Sequence, residues 1–166
     1  RGDQEDWMDR ARTPAFVDGQ RQHHVADLPH AQDAVDQRRV EVGRRLFYDT
    51  RLSGNHTQSC ASCHEQALAF TDGLERPVGS TGQTLPRNSP SLVNVAYTST
   101  LTWANPALIT LETQMQVPLF ANHPVELGIN DKNRDAVLRR IKRDPWYRRH
   151  FPRAFKADRH PIGWTN

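Results

Sequence analysis

The stretch QSCASCHE, residues 58–65, contains both cysteines of this 166-residue chain. Two residues separate Cys60 from Cys63, and His64 follows directly. Because both cysteines belong to one C-x-x-C, they cannot build a disulfide framework for a whole domain. Three local chemistries use this spacing: a zinc site, a dithiol redox centre, and the covalent attachment of an iron porphyrin.

The residues around the motif favour the third chemistry. A structural zinc ion needs four ligands, usually from two pairs, and the chain has no second cysteine pair. A thioredoxin-type C-x-x-C follows a strand, whereas the polar sequence GNHTQS precedes Cys60. In a C-x-x-C-H site, both thiols form thioethers with a haem and the adjacent imidazole ligates its iron. We therefore interpret Cys60, Cys63 and His64 as the attachment site of one covalent haem c.

The composition agrees with an exported domain whose core includes a cofactor. Only 36% of the residues are hydrophobic, which is low for a globular domain, and a haem would supply apolar core. No apolar run approaches the roughly 20 residues of a bilayer span, so none is expected. The chain begins at Arg1 rather than Met, as expected once a signal peptide has been removed. Because c-type haem is attached outside the bacterial cytoplasm, we expect a periplasmic protein.

Apolar periodicity predicts a mostly α, cytochrome-like domain with long loops around the haem and little or no sheet. Residues 1–32 are polar without a sustained period and are expected to form an arm, while residues 33–166 form the haem domain. Residues 71–100 are dense in Gly, Pro, Ser and Thr, which predicts a long ordered loop. Asp33 is a candidate cap for the first helix, and Pro145 is expected to end the last. Helices are predicted over 33–49, 107–120 and 131–143.

Positive charge is concentrated near the carboxy-terminal end. The formal net charge is +3, and basic residues gather in RRIKRDPWYRRHFPRAFK, residues 139–156. Such a run is usually a solvated helix face, and the functional alternative is a docking surface for an acidic protein. No helix-turn-helix, finger or RNP-like motif accompanies it, so no nucleic-acid partner is expected.

Several blocks in the chain resemble the amino-terminal haem domain of the bacterial di-haem cytochrome c peroxidases, and within them the MauG-like branch. Their order along residues 40–165 is more specific than a lone C-x-x-C-H. The resemblance implies a peroxide-reactive haem that passes oxidising equivalents to a second haem or to a protein partner. The blocks are VGRRLFYDTRLSGNHTQSCASCHEQALAFTDG (42–73), GSTGQTLPRNSPSLVNVAY (79–97), Trp103, LETQMQVPL (111–119) and HPVELG (123–128).

The resemblance also implies roles for single residues. The C-x-x-C-H matches the anchor and proximal ligand of the haem at which hydrogen peroxide reacts. Gln114 and Glu126 match distal residues, of which the glutamate moves a proton between the peroxide oxygens. Trp103 matches a tryptophan between the two haems, and Asn88 matches a calcium ligand between the two haem domains. Taken alone, these side chains equally suit structural roles, as a helix-surface amide, a surface carboxylate or a core aromatic.

Two features differ from the classical peroxidases. Residues 65–122 contain no histidine, whereas the classical peroxidases place a histidine that caps the iron in this loop. The difference implies an open, five-coordinate iron. His123 or Met115 would still be available as a sixth ligand. The chain also lacks the second C-x-x-C-H of a carboxy-terminal domain, so we expect it to be part of a protein that needs a second haem domain. An electron-donor or substrate protein is the other expected partner. The competing hypothesis is a monohaem electron carrier with Met115 or His123 as sixth ligand.

Overall fold

The computed structural model describes residues 36–98, 100–102, 105–156 and 162–164. In these ranges the only β-structure is two isolated bridges, so the predicted mostly helical class is confirmed. None of the helices in the same ranges combines the length and hydropathy needed to cross a bilayer. The helices are α1 (Gln37–Phe47), α2 (Leu111–Phe120), α3 (Arg134–Arg143) and α4 (Pro145–Ala154), with short 3₁₀ turns at Thr50–Leu52, Cys60–Ser62, Gln66–Leu68 and Val95–Tyr97.

Side-chain caps decide where α1 and α2 begin. The Asp36 carboxylate accepts a hydrogen bond from the Arg38 amide at 2.9 Å, which starts α1 at residue 37. The predicted cap, Asp33, lies outside the described residues. The Thr110 hydroxyl accepts from the Thr113 amide at 3.3 Å, so α2 starts four residues later than the apolar spacing predicted. A cap satisfies amides that the helix itself leaves without partners, and this outweighs the spacing of apolar residues.

The sequence analysis did not predict α4. Pro145 was expected only to end α3, but it is also the first residue of the next helix. A proline costs little there, because the first-turn amides have no intrahelical acceptor. The Asp144 carboxylate accepts hydrogen bonds from the amides of Trp146 and Tyr147 at 2.8 and 3.2 Å. One short linker therefore ends α3 and starts α4.

The described core joins α2 to α3. Leu119, Leu127, Ile129 and Val137 form a buried cluster, and Cys60 packs against it. The haem-attachment motif is therefore anchored directly on the core.

A second packed region is formed by α1, α3 and α4. The first helix packs against α4, which packs against α3. Val42, Ile141 and Tyr147 are buried there. In the described residues of the long loop predicted over 71–100, the regular structure is the Val95–Tyr97 turn, the bridge between Val78 and Thr84, and Thr71 of the bridge to Glu65.

Candidate haem-attachment site

The C-x-x-C-H motif folds into a tight 3₁₀ turn. The amides of Cys63 and His64 both donate to the Cys60 carbonyl, at 3.2 and 3.0 Å. The Ser59 amide donates to the Ser62 hydroxyl at 3.0 Å, which holds the start of the turn. Two thiols and one imidazole are thereby presented within a single turn.

Both thiols are free and partly buried. Burial raises the pKa of Cys60, and it raises the pKa of Cys63 to about 11. Redox-active cysteines have lowered pKa values instead, so these thiols are poor candidates for a dithiol redox centre. Within the described part of the chain, no third histidine, cysteine or carboxylate joins them in a metal-binding group. Haem attachment remains the prediction for these residues.

The imidazole of His64 is oriented by a backbone carbonyl. Its Nδ1 lies 2.8 Å from the Phe70 carbonyl oxygen. Since a carbonyl can only accept, Nδ1 carries the proton and Nε2 keeps its lone pair. Metal-ligating histidines typically have this arrangement, in which the second nitrogen is held by a hydrogen bond.

Glu126 lies close to the thiols although it is distant in sequence. Its negative charge adds to the rise in pKa of both Cys60 and Cys63, for which burial is the largest cause. Burial also raises the pKa of the Glu126 carboxyl itself. Among the described residues, no hydrogen bond or ion pair engages this carboxylate. The Glu126 carboxylate is thus near enough to the motif thiols to interact with them electrostatically.

Backbone hydrogen bonds to three other segments hold Glu126 in place. The Ser80 amide donates to the Glu126 carbonyl at 2.8 Å, and the Gly54 amide donates to the Leu127 carbonyl at 2.8 Å. The Leu127 amide in turn donates to the Pro118 carbonyl in the last turn of α2, at 2.9 Å. Three separate segments therefore fix the backbone that carries the carboxylate.

Gly79 allows this close approach. A Cβ at this position would lie 1.9 Å from the Val125 carbonyl oxygen, far inside van der Waals contact. Any larger residue would push the backbone just before Glu126. Gly79 was not predicted from the sequence to have a role, because a glycine in a loop rich in Gly and Ser is typical of an ordinary turn.

Three other predicted site residues, Gln114, Met115 and His123, make no described hydrogen bond to the motif. Gln114 is partly buried on α2, and Met115 on the same helix is 51% exposed. His123 is exposed and lines an open groove of about 500 Å³ that Arg76 also lines. Nothing in the described contacts points His123 or Met115 towards the side of the turn that carries His64.

Asn88 and Trp103 remain predictions. Asn88 lines a second groove of about 290 Å³ together with Glu75, Arg76 and Arg87. Trp103 lies outside the described residues.

Apolar side chains after the motif fit a large apolar cofactor. Several of them between residues 68 and 115 are between 37% and 57% exposed. A haem, with a neighbouring domain, would cover such a surface, in agreement with the low apolar content of the chain. These side chains are Leu68, Leu74, Val78, Val93, Tyr97, Ile109, Leu111 and Met115.

Comparisons with known proteins identify the family of the chain. The family model for di-haem cytochrome c peroxidase matches residues 37–166. The methylamine utilization protein MauG of Methylorubrum extorquens is 36% identical over 137 residues, which cover 82% of this chain and 37% of that protein. Cytochrome-c peroxidase IdrP1 of Denitromonas iodatirespirans is 35% identical over 134 residues, which cover 80% of this chain and 32% of that protein. The chain thus spans about a third of the length of these relatives.

A solved structure is similar to this chain in both sequence and fold. The crystal structure of a MauG-like protein associated with microbial copper homeostasis matches with a TM-score of 0.78 and 45% identity, covering 92% of this chain and 42% of that one. Because the family match covers most of the chain and the fold agrees at substantial identity, this chain belongs to the di-haem cytochrome c peroxidase family.

Proposed function

We propose that the chain is the peroxide-reactive haem domain of a di-haem peroxidase or MauG-like oxidase. The observation that carries the proposal is the state of the Glu126 carboxylate, which is partly buried, has no hydrogen bond or ion pair among the described residues, and interacts electrostatically with both motif thiols. An electron carrier has no use for a proton-exchanging group beside its haem, whereas peroxide chemistry depends on one.

The motif would hold the haem covalently. Cys60 and Cys63 would form the two thioethers, and His64 would ligate the iron through Nε2, the nitrogen left free by the bond to Phe70. When bound, the haem supplies the iron at which hydrogen peroxide is reduced. The thiols need no activation by a lowered pKa for a structural attachment of this kind.

Glu126 would move the proton that peroxide cleavage requires. Its carboxylate would accept a proton from one peroxide oxygen and return it to the other, which leaves as water. A raised pKa suits this role, because the group then exchanges protons closer to neutral pH. Gln114 would orient the peroxide through its amide, and Trp103 would pass oxidising equivalents away from the site.

The partners of this chain would include a second haem domain. The support is that relatives in the same family extend well beyond the third of their length that this chain matches. Asn88 would contribute to a calcium site between the two domains. Residues 1–32 would form an arm, residues 33–166 would form the haem domain, and the protein would be periplasmic, since c-type haem is attached there.

A basic surface formed by α1, α3 and α4 would dock an acidic protein partner, either an electron donor or a substrate. Its arginine and lysine side chains are exposed, and no ion pair among the described residues neutralises them. Arginine forks bind carboxylates in pairs of hydrogen bonds, which favours an acidic protein surface. The basic surface consists of Arg38, Arg39, Arg44, Arg139, Lys142, Arg143, Arg148, Arg149 and Arg153.

The proposal is tested on the chain exported to the periplasm of a host with c-type haem maturation. We expect the purified protein to carry one covalent haem by mass, and its ferric spectrum to change when hydrogen peroxide is added. A haem-loaded protein with a low-spin spectrum that peroxide leaves unchanged would contradict the proposal. Loss of the haem mass in Cys60→Ala/Cys63→Ala would confirm the attachment residues.

A further inference from the structure

A serine in the long loop holds the turn that orients His64. The Ser91 hydroxyl donates to the Ala69 carbonyl oxygen at 2.6 Å, across 22 positions of sequence. The same hydroxyl oxygen accepts a hydrogen bond from the Val93 amide at 3.1 Å. Because the amide approaches the oxygen lone pairs, the hydroxyl proton is left to point at Ala69.

The turn that Ser91 holds has an unfavourable backbone. Ala69 and Phe70 both adopt the left-handed region, with φ of 55° and 59°. A residue with a Cβ rarely adopts the left-handed conformation. Two such residues in succession persist only when neighbouring contacts stabilise them. The Phe70 amide donates to the Glu65 carbonyl at 2.9 Å. The peptide unit between Ala69 and Phe70 is therefore anchored at both ends, its N–H by Glu65 and its C=O by Ser91.

The next peptide unit carries the acceptor for His64. The Phe70 carbonyl, which receives the Nδ1 proton at 2.8 Å, follows directly on the anchored unit. The direction of this carbonyl depends on the left-handed conformation that Ser91 stabilises, together with the Thr71 amide of the same peptide unit, which donates to the Leu68 carbonyl at 3.1 Å. We propose that Ser91 is a positioning residue for the proximal ligand, acting through the Ala69–Phe70 turn on the hydrogen bond of the His64 imidazole. The inference rests on the proposed attachment of haem at the motif.

This hydrogen bond tunes the donor strength of the imidazole. A strong acceptor at Nδ1 makes the ring a more basic ligand and favours the ferric form of a bound iron. If the turn relaxes, the bond weakens and the imidazole donates less strongly. Ser91 would therefore affect the reduction potential of a haem that it does not ligate.

The test uses Ser91→Ala in the haem-loaded full chain. We expect the iron–imidazole stretching band of the ferrous protein to move to lower frequency in resonance Raman spectra. We also expect the reduction potential, measured by spectroelectrochemistry, to become more positive. Neither measurement depends on peroxide activity.

Two variants serve as controls. Ser91→Thr keeps a hydroxyl at the same position and should retain the wild-type band and potential. Thr98→Ala removes another hydroxyl of the long loop, one that donates only to the nearby Val95 carbonyl at 2.7 Å, and should change neither.

The possible outcomes separate this inference from the proposed function. Wild-type values in a haem-loaded Ser91→Ala variant would overturn the role of Ser91 and leave the peroxidase proposal intact. An equal shift in Thr98→Ala would also overturn it, because the effect would then belong to the loop in general. A wild-type chain that acquires no covalent haem would remove both proposals.

Discussion

Glu126 combines partial burial with the lack of a described partner. Carboxylates in such surroundings resist ionisation, because water no longer stabilises the charge and no cation replaces it. A carboxyl of this kind is a functional-site candidate on physical grounds, whatever its sequence context. Hydrogen bonds to separate segments also fix the backbone that carries Glu126, which suits a group that must keep its position relative to a substrate.

Replacing Glu126 with Gln removes the proton-exchanging group and keeps its size. We expect covalent haem to be retained and peroxide turnover to fall by about 10²- to 10⁴-fold, the usual contribution of a general acid–base group. Burial raises the pKa of the Glu126 carboxyl above its ordinary value of 4.5. On acidification, the wild-type carboxylate should therefore become protonated at a pH above 4.5, and the rate of peroxide turnover should fall with it.

That acid limb should be absent from the pH–rate profile of Glu126→Gln. Glu112→Gln, an exposed position in the first turn of α2, serves as the control and should behave as wild type. Turnover in Glu126→Gln equal to wild type would exclude a proton-transfer role.

A methyl group at Gly79 tests the support of Glu126. The Cβ of Gly79→Ala would collide with the Val125 carbonyl oxygen, so we expect a loss of about 1–3 kcal/mol in the free energy of unfolding. Gly43→Ala is the matched control: nothing lies within 4 Å of its Cβ, and it sits inside α1. That variant should gain roughly 0.5–1 kcal/mol, because alanine favours a helix over glycine. Urea denaturation measures both, and equal stability in the two variants would contradict the tight packing at Gly79.

At the scale of elements, one guanidinium joins the turn after α1 to the start of α4. The Arg51 side chain donates three hydrogen bonds to Asp49, from Nε to both carboxylate oxygens at 2.9 and 3.1 Å and from one terminal nitrogen at 2.6 Å. Its other nitrogen lies 2.9 Å from Asp144, the residue that caps α4. The buried Tyr147 hydroxyl donates to Asp49 at 2.9 Å. The caps of two elements therefore depend on one charged network.

This network predicts a loss of stability in acid. Burial opposes ionisation of Asp49, but hydrogen bonds from Arg51 and Tyr147 outweigh it and lower the pKa of Asp49. A carboxyl with a lowered folded-state pKa contributes stability that is fully present above its unfolded value of 3.8 and is lost as the pH falls below it. We therefore expect Asp49→Asn to lose about 1–3 kcal/mol at pH 7 and to show a flatter decline below pH 4.

Thermal unfolding over a pH series measures this effect. Asp131→Asn is the control, since its ion pair with Arg134 spans 3.7 Å and its side chain is 99% exposed. An Asp49→Asn variant with the same acid decline as wild type would show that the network does not control acid stability.

At the scale of the whole molecule, positive charge is unevenly distributed. Most of the exposed basic residues belong to α1, α3 and α4, although Arg76 and Arg87 lie in the long loop; the described carboxylates that interact with the Cys63 thiol, Asp72 and Glu126, belong to the loops. Such a separation steers an acidic partner towards the helices and away from the loops around the motif.

Charge reversal tests this steering. We expect the haem-loaded protein to be reduced faster by an acidic redox protein than by a basic one of similar potential, with a rate that falls as salt is added. Arg139→Glu/Arg143→Glu/Arg148→Glu should slow the acidic donor at least about tenfold at low salt, because steering accounts for that much or more of an association rate. Stopped-flow absorbance follows the reduction. Arg76→Glu/Lys132→Glu reverses charge elsewhere and should have little effect; an equal slowing in both variants would argue against a dedicated surface.

Particular residues show how far the sequence could be interpreted. The C-x-x-C-H spacing indicated the attachment chemistry, because covalent attachment needs those residue types at that spacing. Apolar spacing indicated the helical class and the approximate positions of α1, α2 and α3. It missed α4, because Pro145 suits both the end of one helix and the start of another; the Asp144 cap and the burial of Tyr147 show that a second helix starts there.

What the sequence determined by itself is local: the motif, the helical class, the long loop and the family. The tertiary structure decided which groups interact beyond their immediate neighbours in sequence, namely the Glu126 charge with the two thiols, the Phe70 carbonyl with His64, and Ser91 with Ala69. The physical reason is that two of these contacts use backbone carbonyls, which every residue carries and no residue type marks. The third depends on burial and charge at a distance, which arise only when separate segments pack together.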